Sequence, residues 1–139
     1  MIYRRCGRCG KRIQSGSRCR CLAERHKEYD RYSRDKQSKE YYNSKEWECT
    51  RETVLELDGY IDVYQYMETG QIVKADTVHH IKPLREAWNQ RSDIDNLISL
   101  SHESHSEIER EYKKKQEEMI PKMQKMLREY RELRRGGGI

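Results

Sequence analysis

The stretch ADTVHHIKPL, residues 75–84, sets two of the chain's five histidines side by side in a short apolar run that stops at Pro83. Thr77, Val78 and Ile81 are β-branched, as strand residues are. Neighbouring side chains of a strand point to opposite faces. His79 and His80 therefore cannot easily chelate one ion together from a regular strand. At a strand's frayed end they can take two tasks at once, one imidazole holding a metal while the next faces a substrate and takes a proton.

Such a pair needs partners, and the sequence downstream supplies them. Asn96 can accept a hydrogen bond from one imidazole nitrogen, which sets the tautomer and leaves the other nitrogen free as a base. His105, near the start of a helical stretch, can be a second metal ligand. Glu109 lies four residues later on the same helical face and is either a third ligand or an exposed carboxylate. A metal held by two or three side chains keeps positions open for a phosphate oxygen and a water. His80 would then deprotonate that water, and the set amounts to an apparatus for hydrolysing nucleic acid.

The periodicity around the doublet is mixed. Asn43 followed by Glu46 resembles a capping box, and Trp47, Val54 and Leu55 share one face, so residues 44–57 are predicted helical, ending at Asp58-Gly59. YIDVYQY (60–66) and TVHHI (77–81) read as strands with a turn-like METGQ between them, and NLISL (96–100) is a further strand. The polar connection between TVHHI and NLISL is expected to be anchored by Trp88. From Ser101 the chain reads as a helix broken or kinked at Pro121. Beyond it Met123, Met126, Leu127, Tyr130 and Leu133 form an apolar stripe, most simply a packing face. The division expected is a cysteine segment at 1–23, a charged linker or helix at 24–43, a catalytic core at 44–110, and a charged helix with a flexible tail at 111–139.

Four of the five cysteines fall in the first segment, as Cys6-x2-Cys9 and Cys19-x-Cys21. Two such knuckles can aim four thiolates at one ion, a set suited to structural zinc. A segment this short and polar would draw its stability from the metal. Cys49 is expected to be a small core or boundary residue without a role. His26 reads as solvated and His102 as a surface residue at a helix start. Arg85 suits either a phosphate contact or a salt bridge.

Hydrophobic residues make up 34% of the 139, below the roughly 45–50% apolar content of ordinary domains, and 38% are charged, so the core is modest. Phenylalanine is absent while tyrosine occurs ten times, and the formal net charge is +5. A basic chain rich in tyrosine suits a polyanionic partner, nucleic acid being the commonest; the alternative is a solvated charged surface. MIYRRCGRCGKR is no signal peptide and no stretch approaches the roughly 18 apolar residues of a membrane span. A cytoplasmic protein with reduced cysteines is expected.

The order His-His, Asn, His resembles the HNH endonucleases of the ββα-metal (His-Me finger) superfamily. Over roughly residues 30 to 109 the chain is similar to small phage HNH proteins encoded near DNA-packaging genes, above all in VHHIKPL and DIDNLISL. The resemblance implies an α+β fold with a ββα-metal core, flanking helices and an N-terminal zinc knuckle. It implies His79 as first metal ligand, His80 as general base, Asn96 as the middle asparagine and His105 as the helix ligand. Glu109 stands where many relatives have a further histidine. The implied cofactor is Mg²⁺ or a similar divalent ion, the substrate DNA, the partner a phage terminase or packaging protein, and the place the host cytoplasm. Many relatives also carry an inner zinc on two Cys-x2-Cys pairs, where this chain has Val63, Tyr66, Ser101 and Ser104. The N-terminal cysteines are thus a separate appendage. The competing reading is a DNA-binding or assembly module that keeps the fold with little catalysis.

Overall fold

The computed structural model describes residues 2–7 and 9–137, with the backbone alone at 22–26, 28–30 and 32. His26, expected to be solvated, lies among those whose side chains are outside the description. The chain divides into two compact units, Met1–Glu40 and Tyr41–Ile139.

In the first unit β1 (Tyr3–Arg5) pairs antiparallel with β2 (Arg12–Gln14), with Tyr3 opposite Gln14. The turn between them closes through Gly10 N–H to Cys6 O at 3.0 Å and Cys6 N–H to Lys11 O at 2.9 Å, with Gly10 at a left-handed φ of 73°. That conformation comes at no steric cost to glycine. The polar stretch that follows is helical, α1 (Cys21–Tyr42).

The second unit carries the doublet. Helix α2 (Lys45–Leu57) starts one residue later than the capping box predicts: Ser44, not Asn43, is the cap, its Oγ accepting from Trp47 N–H at 3.2 Å. Val54 and Leu55 are buried. Gly59 then turns the chain with φ 69°, a left-handed conformation that favours glycine.

The strand expected at YIDVYQY is not formed. Ile61 makes a single bridge to Lys74, and helix α3 (Val63–Thr69) follows. Asp62 decides this: its carboxylate accepts Gln65 N–H at 3.0 Å and starts the helix, an N-cap signal that outweighs the strand preference of Val63 and the tyrosines. Gly70, at φ 77°, ends it.

Strands β3 (Thr77–His80) and β4 (Leu97–Leu100) pair antiparallel, His79 opposite Ile98 and His80 opposite Leu97. Ser101 caps α4 (His102–Arg135) by accepting Ser104 N–H. Two strands and a helix thus enclose the histidines, in the α+β arrangement expected. The loop between the strands holds two 3₁₀ turns, Trp88–Gln90 and Ile94–Asn96, and is anchored by buried Leu84 and Ala87 as much as by the half-buried Trp88.

Helix α4 departs from helical geometry at Lys115 (φ −151°, ψ 51°), ahead of Pro121, where the break was expected. Both parts pack into one core: Ile108 and Tyr112 before the break, Met119, Met123, Met126, Leu127 and Tyr130 after it, against Val63, Ile81, Ile98 and Leu100. Leu133, expected in that stripe, is exposed, as is Cys49.

Candidate active site

The regular geometry of β3, rather than a frayed end, separates the two histidines. Both are 5% exposed, but they look opposite ways. His79 faces α4, its ring edge-on to Tyr112 at 4.9 Å and 5.3 Å from the ring of His105. His80 faces the aromatic group of Tyr41, Tyr42 and Trp47.

On the His79 side, His105 and Glu109 sit one turn apart on α4. Glu109 Oε1 lies 3.2 Å from His105 Nε2 and 3.7 Å from His79 Nδ1, and a ligand atom from each of the three lies within 4.8 Å of the others. Burial, then the charges of His105 and His80, lower His79 to about 3, so its imidazole is neutral, as a metal ligand must be. His79 Nε2 is buried with no hydrogen-bond partner. Two imidazoles and a carboxylate, with one buried nitrogen left unsatisfied, fit a divalent cation.

On the other side, His80 Nε2 lies 2.9 Å from the Arg91 carbonyl. A carbonyl only accepts, so Nε2 carries the proton and Nδ1 keeps the lone pair. Tyr42 Oη is 3.3 Å from that Nδ1. Trp47 stacks on the imidazole at 5.2 Å and 23°. Burial holds the pKa of His80 below its ordinary value, opposed by the Arg91 hydrogen bond, which leaves a neutral imidazole with one defined basic nitrogen.

Residues 67–111, which include His79, His80, Arg91, His105 and Glu109, match the sequence profile of the HNH endonuclease family. The HNH endonuclease of the deep-sea thermophilic bacteriophage GVE2, crystallised with a manganese ion, is 40% identical, with a TM-score of 0.61, over 64% of this chain and 96% of that one. The chain belongs to the HNH endonuclease family. No curated protein matches it. As an HNH endonuclease it is a metal-dependent nuclease, and the phage relative agrees with the resemblance noted in VHHIKPL.

The expected hydrogen bond between Asn96 and an imidazole is not made. Asn96 Oδ1 accepts Lys82 N–H at 2.8 Å, and Nδ2 donates to Lys82 O at 3.2 Å. The side chain closes the loop just past the doublet, and the Arg91 carbonyl takes the tautomer-setting place instead. That carbonyl is itself held: Tyr41 Oη donates to it at 2.7 Å, while Arg91 Nε and Ser92 Oγ both reach Glu46 Oε2, at 3.1 and 2.7 Å. Tyr41, Tyr42, Glu46, Trp47 and Arg91 are the site residues that sequence reading misses. Tyr41-Tyr42 and Trp47 carry no spacing signal toward the doublet, because their contacts close over 33 to 51 residues of chain.

At the positions where the resemblance implies an inner zinc in many relatives, this HNH endonuclease has a hydrogen-bonded cluster. Asp62 Oδ2 accepts from Ser101 N–H at 3.0 Å and from Ser101 Oγ at 2.7 Å; Gln65 Nε2 reaches Ser104 Oγ at 3.3 Å; Val63 is fully buried beside them. These bonds join α3 to the start of α4 as a metal would.

In the first unit the four cysteine sulfurs converge, Cys6 to Cys21 at 3.6 Å and Cys9 to Cys19 at 3.5 Å, all within 4.8 Å. A tetrahedral zinc with roughly 2.3 Å bonds to sulfur separates its ligands by about 3.8 Å, so the cluster could hold that ion. No described cysteine is in a disulfide. Hydrogen bonds with Cys19 and then Cys6 push the Cys21 thiol up to about 12.

Proposed function

We propose that the chain hydrolyses DNA phosphodiester bonds with His80 as general base and a divalent ion, Mg²⁺ or Mn²⁺, held by His79, His105 and Glu109. The observation that carries this reading is the division of the doublet: a three-ligand cluster on one side of β3, and on the other a buried neutral imidazole with Nε2 committed to the Arg91 carbonyl. When bound, the ion supplies Lewis-acid stabilisation of the phosphate and of its leaving oxygen. The chain's own residues do the rest. His80 takes the proton of the attacking water. Trp47 and the Arg91 carbonyl hold its ring plane and tautomer. Asn96 is a positioning residue that fixes the loop after the doublet through the Lys82 peptide.

The cysteine unit is read as a structural zinc site, and with the basic termini it would grip the duplex through phosphates, with little sequence preference. The resemblance to phage proteins encoded near packaging genes supports a place in phage DNA processing beside a terminase, in the host cytoplasm. No helix of the described residues is long and apolar enough to cross a membrane.

Nicking of supercoiled plasmid tests the reading. Cleavage should require a divalent ion and fall by at least about 100-fold in His80→Ala with an unchanged circular dichroism spectrum. If His80→Ala cuts like the wild type, the base is misassigned. Intact protein that binds DNA but never cuts it, across several metals, would instead favour the assembly-module reading.

A further inference from the structure

His80 is a base that solvent hardly touches, with only 5% of its surface exposed. One ring nitrogen is committed to the Arg91 carbonyl. The other, Nδ1, has a single in-plane lone pair, and the hydroxyl of Tyr42 lies on it at 3.3 Å. A water cannot take that direction while the phenol is there. Tyr42 itself is 46% exposed, so the side chain that carries this hydroxyl reaches solvent. Its ring is held edge-on by Trp47 at 5.2 Å and 84°, and by His80 at 5.9 Å and 73°, two contacts that fix where the hydroxyl points.

We propose that the Tyr42 hydroxyl relays the proton from the attacking water to His80 Nδ1, and so is a catalytic residue of this nuclease. The proposal rests on the reading of His80 as the base. A phenol can donate and accept at once. The water's O–H bond breaks and its proton goes to Tyr42 Oη; the proton already on Oη goes to Nδ1. The water oxygen forms its bond to phosphorus, the bond from phosphorus to the leaving sugar oxygen breaks, and that oxygen takes a proton from solvent. His80 then returns its proton outward through the same hydroxyl. The phenol stays neutral throughout: burial first, then the charges of Tyr41 and Glu109, raise its pKa.

The test is Tyr42→Phe in the full chain, which keeps both ring contacts and removes only the hydroxyl. We expect kcat for plasmid nicking to fall about 10- to 100-fold, less than for loss of the base because the attacking water can then give its proton to Nδ1 directly, with KM for plasmid and the melting temperature unchanged. The proton inventory in mixed H₂O and D₂O should be bowed for the wild type, with two protons in flight, and straight for Tyr42→Phe. A merely structural tyrosine would not alter that curvature. Wild-type or faster cleavage by Tyr42→Phe overturns the relay, since the hydroxyl then only covers the base, and so does a lowered kcat with an unchanged inventory. His80→Ala separates the two levels: if it is inactive while Tyr42→Phe is fully active, the relay alone fails, and if it is active, the reading of the base fails.

Discussion

Arg131 and Asp58, 73 residues apart, form an ion pair that water scarcely reaches: Nε to Oδ1 is 3.0 Å, with side chains 6% and 0% exposed. The pair is fully employed. Arg131 also donates to the carbonyls of Ile94 and Leu97, Asp58 accepts from Ser99 Oγ at 2.8 Å, and Tyr130 Oη donates to the Asp58 carbonyl. It ties the end of α2, the end of the loop and β4 to the last turns of α4, and so braces the sheet that carries the doublet.

Breaking one side of a buried, hydrogen-bonded pair leaves an uncompensated charge and costs about 3–5 kcal/mol. Arg131→Ala should therefore lose about that much stability in urea unfolding. A loss below about 1 kcal/mol would mean that the pair is solvated in solution.

Metal affinity should depend on Glu109 as well as on the histidines. Calorimetric titration with Mn²⁺ is expected to show at least about tenfold weaker binding for Glu109→Gln and a larger loss for His105→Ala. Unchanged affinity in Glu109→Gln would return that residue to the status of an exposed carboxylate.

The metal-free enzyme should weaken in acid. In the unfolded chain His79 takes a proton near its ordinary value of 6.5, whereas the folded protein holds it near 3. Between those values the unfolded state binds more protons, so stability is full above about pH 6.5 and falls as pH drops toward about 3. His80, also lowered by burial, acts in the same direction. Urea midpoints in chelator at about pH 7.5 and about pH 4.5 should differ more for the wild type than for His79→Ala. Equal differences would show that other groups carry the acid sensitivity.

The cysteine unit should depend on zinc. Purified protein is expected to contain about one zinc per chain, lost in Cys9→Ser together with protection of the β1–β2 backbone against hydrogen exchange. Retention of both would place the structural burden of that unit elsewhere.

The sequence by itself determined the strand–loop–strand–helix order around the doublet, the opposite directions of His79 and His80, the shared helical face of His105 and Glu109, and the pairing of the four cysteines. These follow from short-range rules: alternation along a strand, four-residue spacing along a helix, and cysteine pairs separated by one or two residues. Where two local rules competed, the reading failed, as at Asp62, whose capping carboxylate turned an aromatic, β-branched run into α3. Only the tertiary structure decided what surrounds His80. Tyr41, Tyr42 and Trp47 on one side and the Arg91 carbonyl on the other meet it across loops of tens of residues, and a backbone carbonyl has no signature in sequence. The same holds for α4 after Lys115. Its stripe announces a packing face, but the partner of that face, and the Asp58–Arg131 pair that holds it there, exist only once the chain has closed on itself.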